Sequence, residues 1–320
     1  MMRTEAVIKS ILWAIDPLTK DKTAQETVPK AIKALIRSPE TKIYPVSVIL
    51  EEQIPYLAGP NVTQADFRTH IEAVVNHWIN QFQLPNIEPW ELIVEPSFSV
   101  KAAATNLSQV SLRKNCDFII CTTHAKPRAR TMELGTFSES LFLLAQCSLF
   151  LVHPQGRIPD LFQEVLFPTD LSAVSLASLD LIVPTLKSLE VHLTLFHKSI
   201  HISKDIIELP LSGDAKSQYI SQKQIEKTFS LQQIKNQLIK EGIKVDLVLD
   251  NLNSEYISHS ITTRANALKN VFIAMASHSQ NLPGSIPGSI TRQVLRNTEL
   301  PVWVLHPQSQ RESLHGMART

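Results

Sequence analysis

Two aspartates, two glycine-hydroxyl pairs and two short polar runs are the residues of this chain whose types and spacing could do chemistry. Asp16 closes the run ILWAID, and Asp170 closes VLFPTD. Thr122-Thr123-His124 ends one apolar run and Ala276-Ser277-His278 ends another. Gly135-Thr136 and Gly288-Ser289 each open a stretch that reads as a helix. A helix start offers free backbone N–H groups and the positive end of the helix dipole, so an anion such as a phosphate can be held there. An adjacent carboxylate suits a sugar hydroxyl or a base donor. The chemistry these types point to is non-covalent: a cleft for a nucleotide or another small anion.

The elements that must position these residues occur twice. Asp16 and Asp170 lie 154 residues apart, Val28-Pro29 and Val183-Pro184 lie 155 apart, and His124 and His278 lie 154 apart. Gly135-Thr136 and Gly288-Ser289 are separated by 153, as are FLVHP and WVLHP, which end at Pro154 and Pro307. A period this long marks a duplicated domain, because solenoid repeats run about 20–50 residues. Within each copy apolar, β-branched runs alternate with helical patterns, which is the signature of a parallel sheet covered by helices. Strands are predicted near 10–16, 42–50, 91–96, 117–124 and 148–153, and again near 164–170, 190–197, 244–250, 271–278 and 302–306. Helices are predicted near 22–37, 63–82, 100–114, 135–145 and 217–241. In the second of these Phe67, Ile71, Val74, Val75, Trp78, Ile79 and Phe82 share one face at three-and-four spacing, so that stripe reads as core. The fold class is therefore α/β, two tandem doubly wound parallel five-stranded sheets. With strand order 3-2-1-4-5 the chain reverses direction between the first and fourth strands, and ligands bind outside their carboxyl ends. The landmarks all fall there.

Composition sets the frame. The chain has 320 residues, 43% hydrophobic and 19% charged, which suits two domains that each bury a core. Their expected extents are 1–156 and 162–307, joined by a linker at 157–161 and followed by a polar tail at 308–320. Lys plus Arg total 31 against 30 for Asp plus Glu, so no global charge draws the chain to nucleic acid or to a membrane. The opening run IKSILWAI is too short and too interrupted for a secretory segment, and no run approaches a spanning helix. Cys116, Cys121 and Cys147 form no CxxC or paired framework, so they read as reduced core thiols of a cytoplasmic protein.

The order of these landmarks resembles the universal stress protein family in its tandem form, from Ser10 to Pro307. Nucleotide-binding members of that family carry Gly, two residues, Gly, nine residues, Gly, then Ser or Thr after the fourth strand. The first copy offers Thr122, two residues, Ala125, nine residues, Gly135 and Thr136; the second offers Ala276, two residues, Ser279, eight residues, Gly288 and Ser289. Early glycines permit close approach to phosphate oxygens and positive φ, and a Cβ in their place crowds the anion. Lys126, Arg128 and Arg130 in the first loop could compensate by charge, and Gly284-Ser285 in the second by hydroxyls and flexibility. The resemblance implies a pseudo-dimer of the two halves, facing each other through their last strands with Trp303 largely buried. A homodimer of the whole chain is a further expected partner. It also implies a non-catalytic regulator in stress resistance with degenerate nucleotide clefts. The alternative it leaves open is ATP or AMP held in one copy, weakly and with slow hydrolysis.

Other constellations carry less. His197 and His201 flank a predicted strand end and read as a solvated loop, and His70 and His77 lack a third metal ligand. GSIPGS is no nucleophile elbow, since neither serine falls midway between Gly284 and Gly288. No catalytic Ser/His/Asp or Cys/His set emerges, and an adenylyl transferase would want a phosphate-cradling His/Lys set that is not found.

Overall fold

The computed structural model describes residues 8–19, 21–54, 63–123, 136–198, 213–250, 256–277 and 289–306. In its first half β1 (Ser10–Ala14), β2 (Lys42–Leu50), β3 (Glu91–Glu95), β4 (Phe118–Thr122) and β5 (Ser148–Val152) alternate with helices α1 (Lys22–Leu35), α2 (Gln64–Phe82), α3 (Val100–Arg113) and α4 (Thr136–Leu144). The second half repeats the plan with β6 (Glu164–Pro168), β7 (His192–Lys198), β8 (Val245–Asp250), β9 (Val271–Ala276) and β10 (Val302–Leu305). Its helices are α5 (Ala173–Leu189), α6 (Gly213–Lys240), α7 (Ile257–Asn266) and α8 (Ser289–Asn297).

Local chemistry starts these helices where the sequence offers oxygen acceptors to free N–H groups. Asp21 accepts from the N–H groups of Thr23 and Ala24 at the head of α1, and Ser99 and Ser172 do the same work for α3 and α5. Thr63 caps α2 and donates its own hydroxyl to Asp66 at 2.7 Å. The strands are apolar on both faces because helices cover both, which is how a parallel sheet differs from a half-solvated antiparallel one. On β5 the neighbours alternate between two cores: Phe150 and Val152 face α1, α2, α5 and α6, while Leu149 and Leu151 face α3, α4, α7 and α8.

The expected order appears in both halves, and the two join into one ten-stranded sheet, β3-β2-β1-β4-β5-β10-β9-β6-β7-β8. Among the described residues every pairing within a half is parallel, and β5 and β10 alone meet antiparallel, with Trp303 opposite Phe150. The last strands thus occupy the centre of the molecule, and Trp303 is 5% exposed. At this junction Trp303, Phe118, Phe150, Phe162 and Phe272 form one aromatic cluster with centroids 5.2–6.1 Å apart. Arg292 of α8 and Glu139 of α4 add an ion pair across it at 3.2 Å. Gly156 sits where the chain leaves the first half, and a Cβ there would lie 2.5 Å from the backbone oxygen of Glu299.

The central pairing predicts the behaviour of a half. Residues 1–158 produced alone would bare β5, an apolar strand with unpaired backbone groups along one side, and should self-associate through it. Sedimentation of that fragment checks the expectation; a monomeric fragment whose β5 amides exchange freely with solvent would contradict it.

Three sequence expectations need adjustment. Helix α6 begins at Gly213, earlier than the predicted start at 217. His197 is not in a solvated loop: it lies inside β7 and is 3% exposed, because this strand is covered on both faces up to its end. His201 lies outside the described residues. The α2 stripe is core at Phe67, Ile71, Val75 and Ile79, whereas Trp78 and Phe82 are only partly buried against it. The three cysteines are free and buried, as expected, and burial pushes the thiols of Cys121 and Cys147 up to about 12 and about 11.

Candidate functional site

The carboxyl ends of β1 and β4 lie side by side, paired in register from Ile11↔Phe118 to Trp13↔Ile120. Their last residues open a shallow cleft of about 30 Å³ lined by Trp13, Ala14, Ile15, Asp16, Thr19, Ala24, Gln25, Val28, Trp78 and Thr122. Asp16 stands exposed just beyond β1, and its Oδ1 accepts the N–H of Leu18 at 3.0 Å, which turns the chain toward α1. The loop is then tied to the helix: Gln25 Nε2 donates to the carbonyl of Thr19 at 2.9 Å. On the other wall the carbonyl of Thr122 accepts the hydroxyl of Ser138 at 2.8 Å, so the start of α4 is fastened to the end of β4. Thr136, the first residue of α4, is exposed. Asp16, Thr122 and the head of α4 are therefore brought together at the switch point. Ala125, Lys126, Arg128, Arg130 and Gly135, with His124, lie outside the described residues.

The second half repeats the fastenings. Asp170 Oδ1 accepts from the N–H of Ser172 at 2.9 Å, and the buried carbonyl of Ala276 accepts the hydroxyl of Thr291 at 3.3 Å, matching Ser138 and Thr122. Ser289 begins α8, while His278, Ser279, Gly284 and Gly288 lie outside the described residues. The space beside Asp170 is filled differently. Relative to the shared Val-Pro pair, α5 starts about one turn earlier than α1, and Phe167 and Leu179 stand at the places of Trp13 and Ala24, each at most 2% exposed. Leu171, next to Asp170, adopts φ 64°, a left-handed conformation that costs a branched residue roughly 1–2 kcal/mol.

Sequence reasoning missed the indoles. Trp13 is buried at 4% with its ring edge-on to Phe82, 6.5 Å away, and Trp78 was assigned to the core stripe; both line the cleft. The signal was present in two tryptophans at strand-end and helix positions that converge, but only the fold brings them together. It also missed the polar group behind Asp170. Buried His197 bonds the carbonyl of Thr169 through Nδ1 at 2.7 Å while its Nε2 has no hydrogen-bond partner, and burial holds its pKa below the usual histidine value. On the opposite face Lys198 pairs with Asp250 at 3.1 Å and bonds Ser260. Among the described residues no group of three His, Cys, Asp or Glu side chains could hold a metal ion, and no helix is long and apolar enough to cross a membrane.

The fold these clefts sit on is shared with solved structures. The chain is similar to a universal stress protein from Archaeoglobus fulgidus DSM 4304, at 17% identity and a TM-score of 0.65, over 94% of this chain and 99% of that one. A functionally unknown protein from Pseudomonas aeruginosa PAO1 is similar at 12% identity and a TM-score of 0.64, over 98% of each chain. No protein-family model matches the sequence, and no curated protein matches it. The architecture is therefore the tandem universal stress protein fold, two α/β units in one chain, with coverage of whole tandem chains on both sides of the comparison.

Proposed function

We propose that this chain is a non-catalytic, cytoplasmic regulator in stress resistance that responds to a small ligand at the first-half cleft, its phosphate loops being degenerate nucleotide sites. The observation that carries this reading is the open groove at the β1 and β4 ends, with Asp16 and Thr122 on its rim, in a chain whose loops lack the early glycines. In the first half the binding residues are Asp16, Thr122, Thr136 and the loop bearing Ala125, Lys126, Arg128, Arg130 and Gly135. In the second they are Asp170, Ala276, Ser279, Gly284, Gly288 and Ser289. Each lost backbone-to-phosphate hydrogen bond removes roughly 1.5–3 kcal/mol, since the acceptor is charged. ATP affinity is accordingly expected to be weaker than about 10 μM, or some −7 kcal/mol. Calorimetry of the purified chain, with mass spectrometry of anything extracted from it, tests this; nanomolar ATP affinity or stoichiometric co-purified nucleotide would overturn it.

A second reading, ATP or AMP in one copy, is favoured by the nine-residue spacing to Gly135-Thr136 and by the three cationic residues that only the first loop carries. On that reading Arg128→Ala with Arg130→Ala weakens nucleotide binding and its salt sensitivity, while Ser289→Ala changes little. The reverse pattern at low salt would place the nucleotide in the second half.

A further inference from the structure

The junction at the centre of the sheet sets residues against their own counterparts in the other copy. Phe150 and Trp303 lie 153 residues apart in sequence, and so do Glu139 and Arg292, the spacing that also separates Gly135-Thr136 from Gly288-Ser289. On the antiparallel strands Trp303 stands opposite Phe150, flanked evenly by Val302↔Leu151 and Val304↔Leu149. On the helices Glu139 is the fourth residue of α4 and Arg292 the fourth of α8. Their side chains meet at 3.2 Å, and Arg296 lies 3.9 Å from the same carboxylate oxygen. A pseudo-twofold axis therefore runs through this point. Two first halves, or two second halves, paired through the same strands would bring identical residues face to face.

Both axial positions carry residues that suit each other and not themselves. Two first halves would set Glu139 against Glu139, and two second halves would gather Arg292 and Arg296 from each side with no carboxylate between them. Arg292 and Glu139 are half-buried, so like charges there are screened less than at the open surface. Ring size discriminates as well. Phe150 and Trp303 pack at 5.9 Å inside a filled cluster with Phe118 and Phe272, and a second indole in place of Phe150 would overfill it. Specificity is a difference between alternatives, and here both alternatives carry a repulsive element that the pairing of unlike halves avoids. We infer that the junction of β5 with β10 is a selective interface, in which charge at the contact of α4 with α8 and ring size on the axis make each half prefer the other kind over a copy of itself. Chains accordingly close on themselves rather than exchange halves with their neighbours. A bared β5 still associates with itself, but a second half displaces that pairing.

The test uses the full chain in three variants: Glu139→Arg, Arg292→Glu with Arg296→Glu, and all three changes together. Either one-sided variant sets like charges against each other and should unfold at a lower urea midpoint than the natural chain. That gap should narrow in 1 M salt, where screening acts within about 3 Å. The threefold variant restores opposite signs and should recover most of the loss. Competition is read by unfolding the two one-sided variants together, one of them isotopically labelled, and refolding the mixture. Native mass spectrometry should then show dimers holding one chain of each kind in several-fold excess over like dimers, because only there does each half meet an opposite charge. One-sided variants with the natural midpoint, a threefold variant no more stable than they are, or a mixture without that excess would each overturn the inference. Should a one-sided variant fail to fold, recovery of the folded chain in the threefold variant supports the inference and its absence refutes it.

Discussion

Replacing Trp303 by alanine should lower the unfolding free energy by about 3–5 kcal/mol, the range for emptying a buried aromatic site that cannot collapse. The ring is 5% exposed and stands edge-on to Phe118 at 5.2 Å and to Phe150 at 5.9 Å, both from the first half, with Phe272 of its own half at 6.1 Å. It therefore holds together strands whose pairing is, among the described residues, the only direct sheet contact between the halves. The indole Nε1 is buried without an acceptor, which costs roughly 1–3 kcal/mol and is removed along with the indole. Trp303→Phe should consequently cost little, within about 1.5 kcal/mol, as the lost volume and the relieved N–H offset each other. Urea unfolding followed by circular dichroism distinguishes the cases. The alanine variant should unfold earlier and over a broader range as the halves lose their coupling; equal midpoints for the alanine and phenylalanine variants would mean that the ring is not what joins them.

Much of this junction was legible before any coordinates, and the cleft was not, for physical reasons. Apolar runs such as SLFLV and VWVL need cover on two faces and a partner on each edge, so two copies of one fold ending in such strands have few ways to satisfy them besides pairing with each other. The pairing itself was what the family resemblance implied, and the local composition of the two strands agrees with it. The cleft depends on where elements distant in sequence converge. Trp78 belongs to the same helical stripe as Val75 and Ile79, but the stripe outruns the groove's edge, so the periodicity that marks it as core cannot say that its ring also forms a wall. Likewise the difference between the clefts comes from the length of one helix and an Ala-to-Leu exchange, which a comparison of landmarks spaced about 154 residues apart passes over. His197 was misplaced because a polar run, HKSIHIS, looks like the end of a strand. In the fold β7 runs through it, and Lys198 is neutralised by Asp250, a partner 52 residues away. The glycine-poor loops, where the sequence speaks most directly to phosphate binding, are a matter of residue identity alone.

Acid should destabilise the chain well before its carboxylates titrate, and His306 should be the main cause. This histidine follows β10 at the centre of the sheet, is 2% exposed, and has its backbone N–H directed at Ser148 Oγ, 3.5 Å away on the facing strand. Burial pushes its pKa down to about 4, from an ordinary value of 6.5. The folded state therefore holds the imidazole neutral while the unfolded chain takes up a proton. Well above pH 6.5 neither state is protonated and nothing is lost. As pH falls from 6.5 toward 4 the unfolded state binds the extra proton and stability declines, by about 2 kcal/mol at pH 5 and about 3 kcal/mol once the folded pKa is passed. His197 and His153 are also held below their usual values, chiefly by burial, and act in the same direction. Urea midpoints at pH 7.5 and pH 5.0 should separate clearly for the natural chain and much less for His306→Gln, whatever that substitution costs at neutral pH, because the quantity compared is the difference between the two pH values. A variant with the full acid dependence of the natural chain would assign the loss to other groups and would mean that the imidazole at the end of β10 is protonated without disturbing the central strands.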